Sequence, residues 1–102
     1  MKTHIYSIYD TAAAYYMQPF VSQTDASAMR EFQNIVTKGD NQISNNPQDF
    51  TLFKLGSWTN HNGIITPQGP EKVLTGLEAK NFETLKNNVI PINDAIDNPG
   101  IE

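Results

Sequence analysis

Only two side chains of this sequence ordinarily titrate near neutral pH, His4 and His61, and they lie at the ends of different predicted strands. A metal site built on them would need a carboxylate such as Asp10, and nothing in the spacing forces the three together. As exposed strand or turn residues they need no further explanation. Asp94 and Asp97, three apart, make the minimum carboxylate pair for one helix face, but the Asn-Pro-Gly that follows them favours a solvated tail. The chain has no Gly-x-x-x-x-Gly-Lys phosphate loop, no Gly-x-Gly-x-x-Gly, no Gly-x-Ser-x-Gly elbow and no His-Glu-x-x-His pair. With 0 cysteines, disulfides, thiolate metal sites, iron–sulfur clusters and a cysteine nucleophile are excluded together. The expectation is a non-enzymatic protein with no catalytic residues, no bound metal and no cofactor.

Aromatic and basic residues on strands are the constellation with chemical content. Aromatic faces stack unpaired bases at roughly 1–3 kcal/mol each, and a few cations follow the backbone. Tyr6, Tyr9, Phe53 and Trp58, with Lys2, Lys54 and His61 close in sequence, have the composition of such a platform, and Arg30 adds a further phosphate contact. Lys54 stands in the middle of a predicted strand and alternates onto the same face as Trp58. Because a lysine is rarely buried, the Phe50/Leu52/Lys54/Trp58 face is expected to look away from the helix. The competing use of these rings is structural and carries more weight: a small domain needs its ten aromatics for its core and for subunit contacts.

These residues belong to a chain of 102 amino acids with a formal net charge of −4, long enough for one domain. A mean hydropathy of −0.47 leaves an economical core. The acidity argues against a uniformly basic protein held on phosphates by counterion release. It is unevenly placed, however. Residues 1–69 hold four basic and five acidic side chains, whereas residues 70–102 hold three and six. Nine of the ten aromatics also fall in the first stretch. The expected organisation is therefore one domain over residues 1–80 and an Asn-rich acidic segment over 81–102, ordered in part at best. The N-terminal residues lack the apolar run of a signal peptide, and Ala12 to Met17 is too short to cross a bilayer.

Ile5 to Tyr9 reads as a first strand with faces Ile5/Ser7/Tyr9 and Tyr6/Ile8. Tyr15 to Val21 has strand composition, but Pro19 restricts it to an edge or a bulge. Thr24 or Asp25 caps a helix whose apolar face is Ala28, Met29, Phe32, Ile35 and Val36, with Arg30, Glu31, Gln33 and Asn34 opposite and Gly39 as the stop. Residues 40–49 read as a polar loop. Phe50 to Trp58 is the strongest strand, Asn62-Gly63 supplies the two left-handed residues of a type I′ hairpin, and Ile64 to Thr66 returns until Pro67. Residues 71–78 read as a short helix or an extended edge. The fold class is α+β: an antiparallel sheet of about four strands in β-β-α-β-β order, covered on one face by one amphipathic helix, with a polar C-terminal tail.

The runs His4 to Ala12, Tyr16 to Phe20 and Asp49 to Gly56, followed by Asn62-Gly63-Ile64-Ile65, carry a resemblance. Over about residues 4–80 the chain resembles the small nonstructural protein of gokushovirus-type microviruses, phages with circular single-stranded DNA genomes. The resemblance rests on pattern and order, since none of these pieces is a catalytic signature. It implies a protein made in the cytoplasm of the infected bacterium, with a role in DNA binding when replication turns to single-stranded genome synthesis and packaging. It transfers no site residue, and the aromatic and basic residues above are read from the sequence itself.

Two functions stay open at this point. The first is a homodimer or larger assembly that binds single-stranded DNA or the replication complex. The second is an adaptor that docks on the replication initiator or a capsid precursor without touching DNA. A small enzyme would require His4, Asp10 and His61 to converge.

Overall fold

A computed structural model describes residues 2–81 of the chain. The expected C-terminal segment, with Phe82 and the Asp94/Asp97 pair, lies outside the described residues except for Asn81. In chain order the elements are β1 (Lys2–Asp10), β2 (Tyr15–Tyr16), β3 (Phe20–Ser22), α1 (Asp25–Thr37), α2 (Gln42–Asn45), a 3₁₀ turn over Pro47–Asp49, β4 (Phe50–Thr59) and β5 (Ile64–Thr75). The strands form one curled antiparallel sheet in the order β2-β1-β4-β5, with β3 also paired to β1. The α+β class stands, but there are five strands rather than about four, and α1 is not the only helix among the described residues. None of these helices is long and apolar enough to cross a membrane.

Pro19 accounts for the extra strand. It interrupts what reads as one segment, so that Tyr15–Tyr16 pairs with Tyr9 and Asp10 while Phe20–Ser22 pairs with His4, Ile5 and Tyr6. The chain between them stays on β1 through the Met17 amide, which donates to the Ile8 carbonyl at 2.8 Å. The Ser7 hydroxyl adds a bond to the Met17 carbonyl at 2.6 Å.

Helix α1 follows its sequence signals closely. The Thr24 side chain accepts from the Ser27 amide at 3.0 Å, Ala28, Phe32 and Val36 are buried, and Gly39 takes a φ of 79° just past the end. The loop expected over residues 40–49 instead contains α2, held by a reciprocal cap between Asn41 and Ser44. One apolar side chain, Ile43, anchors that turn in the core. So short a helix gives no periodicity to read.

β5 does not stop at Pro67; it runs through Pro67 and Pro70 to Thr75. It pairs only with β4 among the described residues, an edge position of the kind that tolerates proline, and the register shift between Lys54 and Gly56 leaves Gln68, Gly69 and Pro70 without a partner position on β4. Residues 76–81 are then helical. Thr75 and Glu78 cap that turn reciprocally, with the Thr75 amide donating to Glu78 Oε1 at 2.9 Å and the Glu78 amide to Thr75 Oγ1 at 3.0 Å.

The core joins Tyr6 and Ile8 of β1 and Phe50 and Leu52 of β4 to Ala28, Phe32, Val36, Ile43 and Ala79. This overturns the face assignment expected for β4: Phe50 and Leu52 are 2% and 0% exposed, so their face is the one the helix covers. A bulge decides the rest of the strand. Tyr6 stands opposite Lys54 and Ile5 opposite Gly56, which leaves Leu55 as an inserted residue. The insertion shifts the alternation by one, and Lys54 and Trp58 end on opposite faces of the sheet.

Candidate nucleic-acid interface

On the helix side of the sheet, four polar or aromatic residues meet where β1 and β4 pass beneath the start of α1. The Tyr6 ring is fully buried, and its hydroxyl donates to Asp25 Oδ1 at 2.5 Å. Lys54 Nζ reaches the same oxygen at 2.9 Å. The Tyr6 hydroxyl and then the Lys54 ammonium hold the Asp25 carboxyl below the usual carboxylate range. Burial, followed by the bond to Asp25, pushes the Tyr6 hydroxyl up. His4 packs its ring edge-on against Tyr6 at 6.4 Å, and its Nδ1 is buried without a hydrogen-bond partner. Two residues expected to meet DNA are thus occupied: Tyr6 is in the core and Lys54 is paired. Asp25, their common partner, escaped the sequence reading except as a helix cap. An acidic residue in the first turn of a helix was the available signal.

The other face of the sheet carries rings that remain accessible. Tyr9 of β1, Tyr16 of β2 and Phe53 of β4 form one cluster, with centroid separations of 4.7 Å for Tyr9–Tyr16, 5.7 Å for Tyr16–Phe53 and 6.3 Å for Tyr9–Phe53. Tyr16 is 42% exposed, and the other two are half-buried. Tyr16 was not singled out in the sequence, because its place depends on its register opposite Tyr9. Cross-strand partners share a face. Trp58 stands opposite Thr3 and Ile65, and the Leu55 bulge thereby returns it to the side of Tyr9 and Phe53.

The same pairing sorts the charges. Strand positions on the aromatic face are Thr3, Ile5, Ser7 and Tyr9 on β1, Tyr16 on β2 and Val21 on β3. On β4 they are Thr51, Phe53, Gly56 and Trp58, and on β5 Ile65, Pro67, Lys72 and Thr75. They include one lysine and no carboxylate, in a chain whose net charge is −4. Lys72 lies directly across from Phe53.

The remaining expected contacts are dispersed. Lys2 is exposed at the start of β1, in the His4 row, and His61 is exposed in the β4–β5 turn. Arg30 is exposed on α1, on the opposite side of the sheet from the aromatic cluster, and does not join it. Among the described residues no three His, Asp or Glu side chains gather as a metal site, so His4, Asp10 and His61 do not converge.

The sequence of this sheet and of α1 matches the profile of the phage ORF5 proteins over residues 3–79. The chain belongs to the phage ORF5 protein family. The resemblance read from the sequence is met at that level, as a phage protein. Both faces of the sheet, with the Tyr6–Asp25–Lys54 group on one and the Tyr9–Tyr16–Phe53 cluster on the other, lie inside the matched span of this phage ORF5 protein. Neither a curated protein nor a solved structure matches it significantly.

Proposed function

We propose that this phage protein is the nonstructural protein of a gokushovirus-type microvirus and that it binds single-stranded DNA on the aromatic face of its sheet. It acts in the cytoplasm of the infected bacterium during genome synthesis and packaging, as a homodimer or larger assembly, and catalyses no reaction. The observation that carries this reading is the Tyr9–Tyr16–Phe53 cluster, which sits beside Lys72 on a face whose strand positions hold no carboxylate. Stacking supplies most of the affinity and charge only part of it, which suits an acidic protein.

Titration of labelled oligothymidylate into the protein at about 50 mM salt, followed by fluorescence polarisation, tests the reading under conditions that favour phosphate contacts. Saturable binding that weakens in Tyr16→Ala is expected. Absence of binding overturns it. A second reading, an adaptor docking on the replication initiator or a capsid precursor, draws on the end of the β4–β5 hairpin. There Trp58, Ile64 and Ile65 are 36%, 56% and 62% exposed with no charged side chain between Lys54 and Glu71. Capture of the initiator by a protein that fails to bind DNA favours it.

A further inference from the structure

The aromatic side chains of the outer face fall into two groups rather than one. Tyr9, Tyr16 and Phe53 form the first; Trp58, backed by its cross-strand neighbour Ile65, forms the second. Phe53 and Trp58 lie five positions apart along β4 with the bulged Leu55 between them, and a strand rise of 3.3 Å per residue puts the groups ~13–16 Å apart. Between them the face carries the row Val21, Ile5, Gly56 and Pro67, beside the small residue Ser7. Ser7 and Gly56 are buried, and the position where a Gly56 side chain would stand is closed by the Thr66 carbonyl oxygen, 2.4 Å from an ideal Cβ.

We infer that the two groups are separate stacking subsites for one continuous unpaired DNA strand, which bridges the span between them. This rests on the reading that the aromatic face binds single-stranded DNA. At the roughly 3.4 Å rise of a stacked strand, the span corresponds to about four or five nucleotide steps. A trimer fills one subsite only. An octamer fills both, the second at the high effective concentration set by its tether to the first. The cation belongs to the first subsite, since Lys72 lies across from Phe53 while Trp58 is opposite Thr3 and Ile65. The affinity added by the second subsite is therefore a stacking contribution and insensitive to salt.

Oligothymidylates of two to ten nucleotides, titrated against the full chain by fluorescence polarisation, test this. The octamer is expected to bind at least fivefold more tightly than the trimer, beyond the threefold or so given by its extra registers. Trp58→Ala should reduce the octamer-to-trimer ratio to that statistical value, and Trp58→Phe, which keeps a stacking ring, should preserve most of the step. Circular dichroism confirms that each variant is folded. The step should also have the same height at 50 and 200 mM salt. A smooth, register-proportional rise that is identical in wild type and Trp58→Ala overturns the two-subsite arrangement while leaving single-strand binding intact. Failure to bind at any length overturns the underlying reading itself.

Discussion

The Tyr6 hydroxyl donates to the Asp25 carboxylate at 2.5 Å and so fastens the middle of β1 to the first turn of α1, nineteen residues away. A hydrogen bond to a charged group contributes about 1.5–3 kcal/mol when both partners are dry. The Asp25 side chain is 49% exposed and recovers water when the bond is lost, so Tyr6→Phe should cost only about 1 kcal/mol. For a domain of this size that lowers Tm by ~4–8 °C. Urea denaturation of the two proteins measures it. An unchanged midpoint would mean that the bond contributes nothing net.

The same pair sets a dependence on pH at both extremes. The Asp25 carboxyl is held low in the fold, so it contributes stability above its unfolded value near 3.8 that is lost as pH falls through its folded value. Asp25→Asn should flatten the acid limb of a stability–pH curve. The Tyr6 hydroxyl is held high, so its contribution is present below pH ~10 and is lost as the unfolded chain begins to ionise above that. Tyr6→Phe should remove that part of the alkaline decline. Chemical denaturation between pH 2.5 and 11 follows both limbs in one series.

Gly56 and Gly69 provide a matched comparison on the two sides of the same bulge. A Cβ at Gly56 meets the Thr66 carbonyl oxygen at 2.4 Å and the Pro67 Cα at 3.2 Å, both backbone atoms that cannot swing aside. A Cβ at Gly69 meets nothing within 4 Å. Gly56→Ala should destabilise the protein by about 1–3 kcal/mol, and Gly69→Ala should stay within about 0.5 kcal/mol of wild type. Equal thermal midpoints for the two variants would contradict the close approach of β5 to β4.

Lys72, rather than Lys54, should govern the salt dependence of DNA binding. Each phosphate contact adds about 0.7 to the slope of log affinity against log salt for a single strand. Lys72→Ala should reduce the slope by about that amount. Lys54→Met should leave it unchanged, because that ammonium is already 2.9 Å from Asp25 on the opposite face. A slope that responds to Lys54 instead would place the ligand on the helix side.

Trp58 is the sole tryptophan of the chain and is about one-third exposed, so it reports on its own subsite. Oligothymidylate of eight nucleotides should quench its fluorescence on stacking. Quenching that is absent while polarisation shows saturable binding would remove Trp58 from the interface.

Local signals carried the fold a long way. Thr24, the Ala28–Phe32–Val36 spacing and Gly39 each mark one part of α1, and β1 and the Pro19 interruption are equally visible along the chain. The hairpin at Asn62-Gly63 is present, but as a four-residue turn over 60–63 in which only Gly63 takes a positive φ, not the two-residue type I′ turn the dipeptide suggests. The two faces of β1 were also legible, with Tyr6 and Ile8 on one side and Tyr9 on the other. Which of them meets the helix was not, because that depends on packing between distant segments. The bulge at Leu55 is the decisive unreadable feature. It arises from the pairing of β4 with β1 and β5, and strict alternation read in its absence puts Lys54 and Trp58 together. For the same reason Tyr9 and Trp58 were identified as candidates while Tyr16, Lys72 and the Asp25 partner of Lys54 were not. Their roles exist only once the strands are in register.

The prolines at 67 and 70 have a consequence beyond interrupting the reading of β5. An extended strand such as β5, with no partner on one side among the described residues, is the usual template on which chains add to one another and grow into fibres. Pro67 and Pro70 remove two amide donors from that strand, so an incoming chain finds no unbroken ladder to complete. The hairpin end can therefore keep Trp58 and Ile65 accessible to a ligand without seeding polymerisation of the protein that carries them.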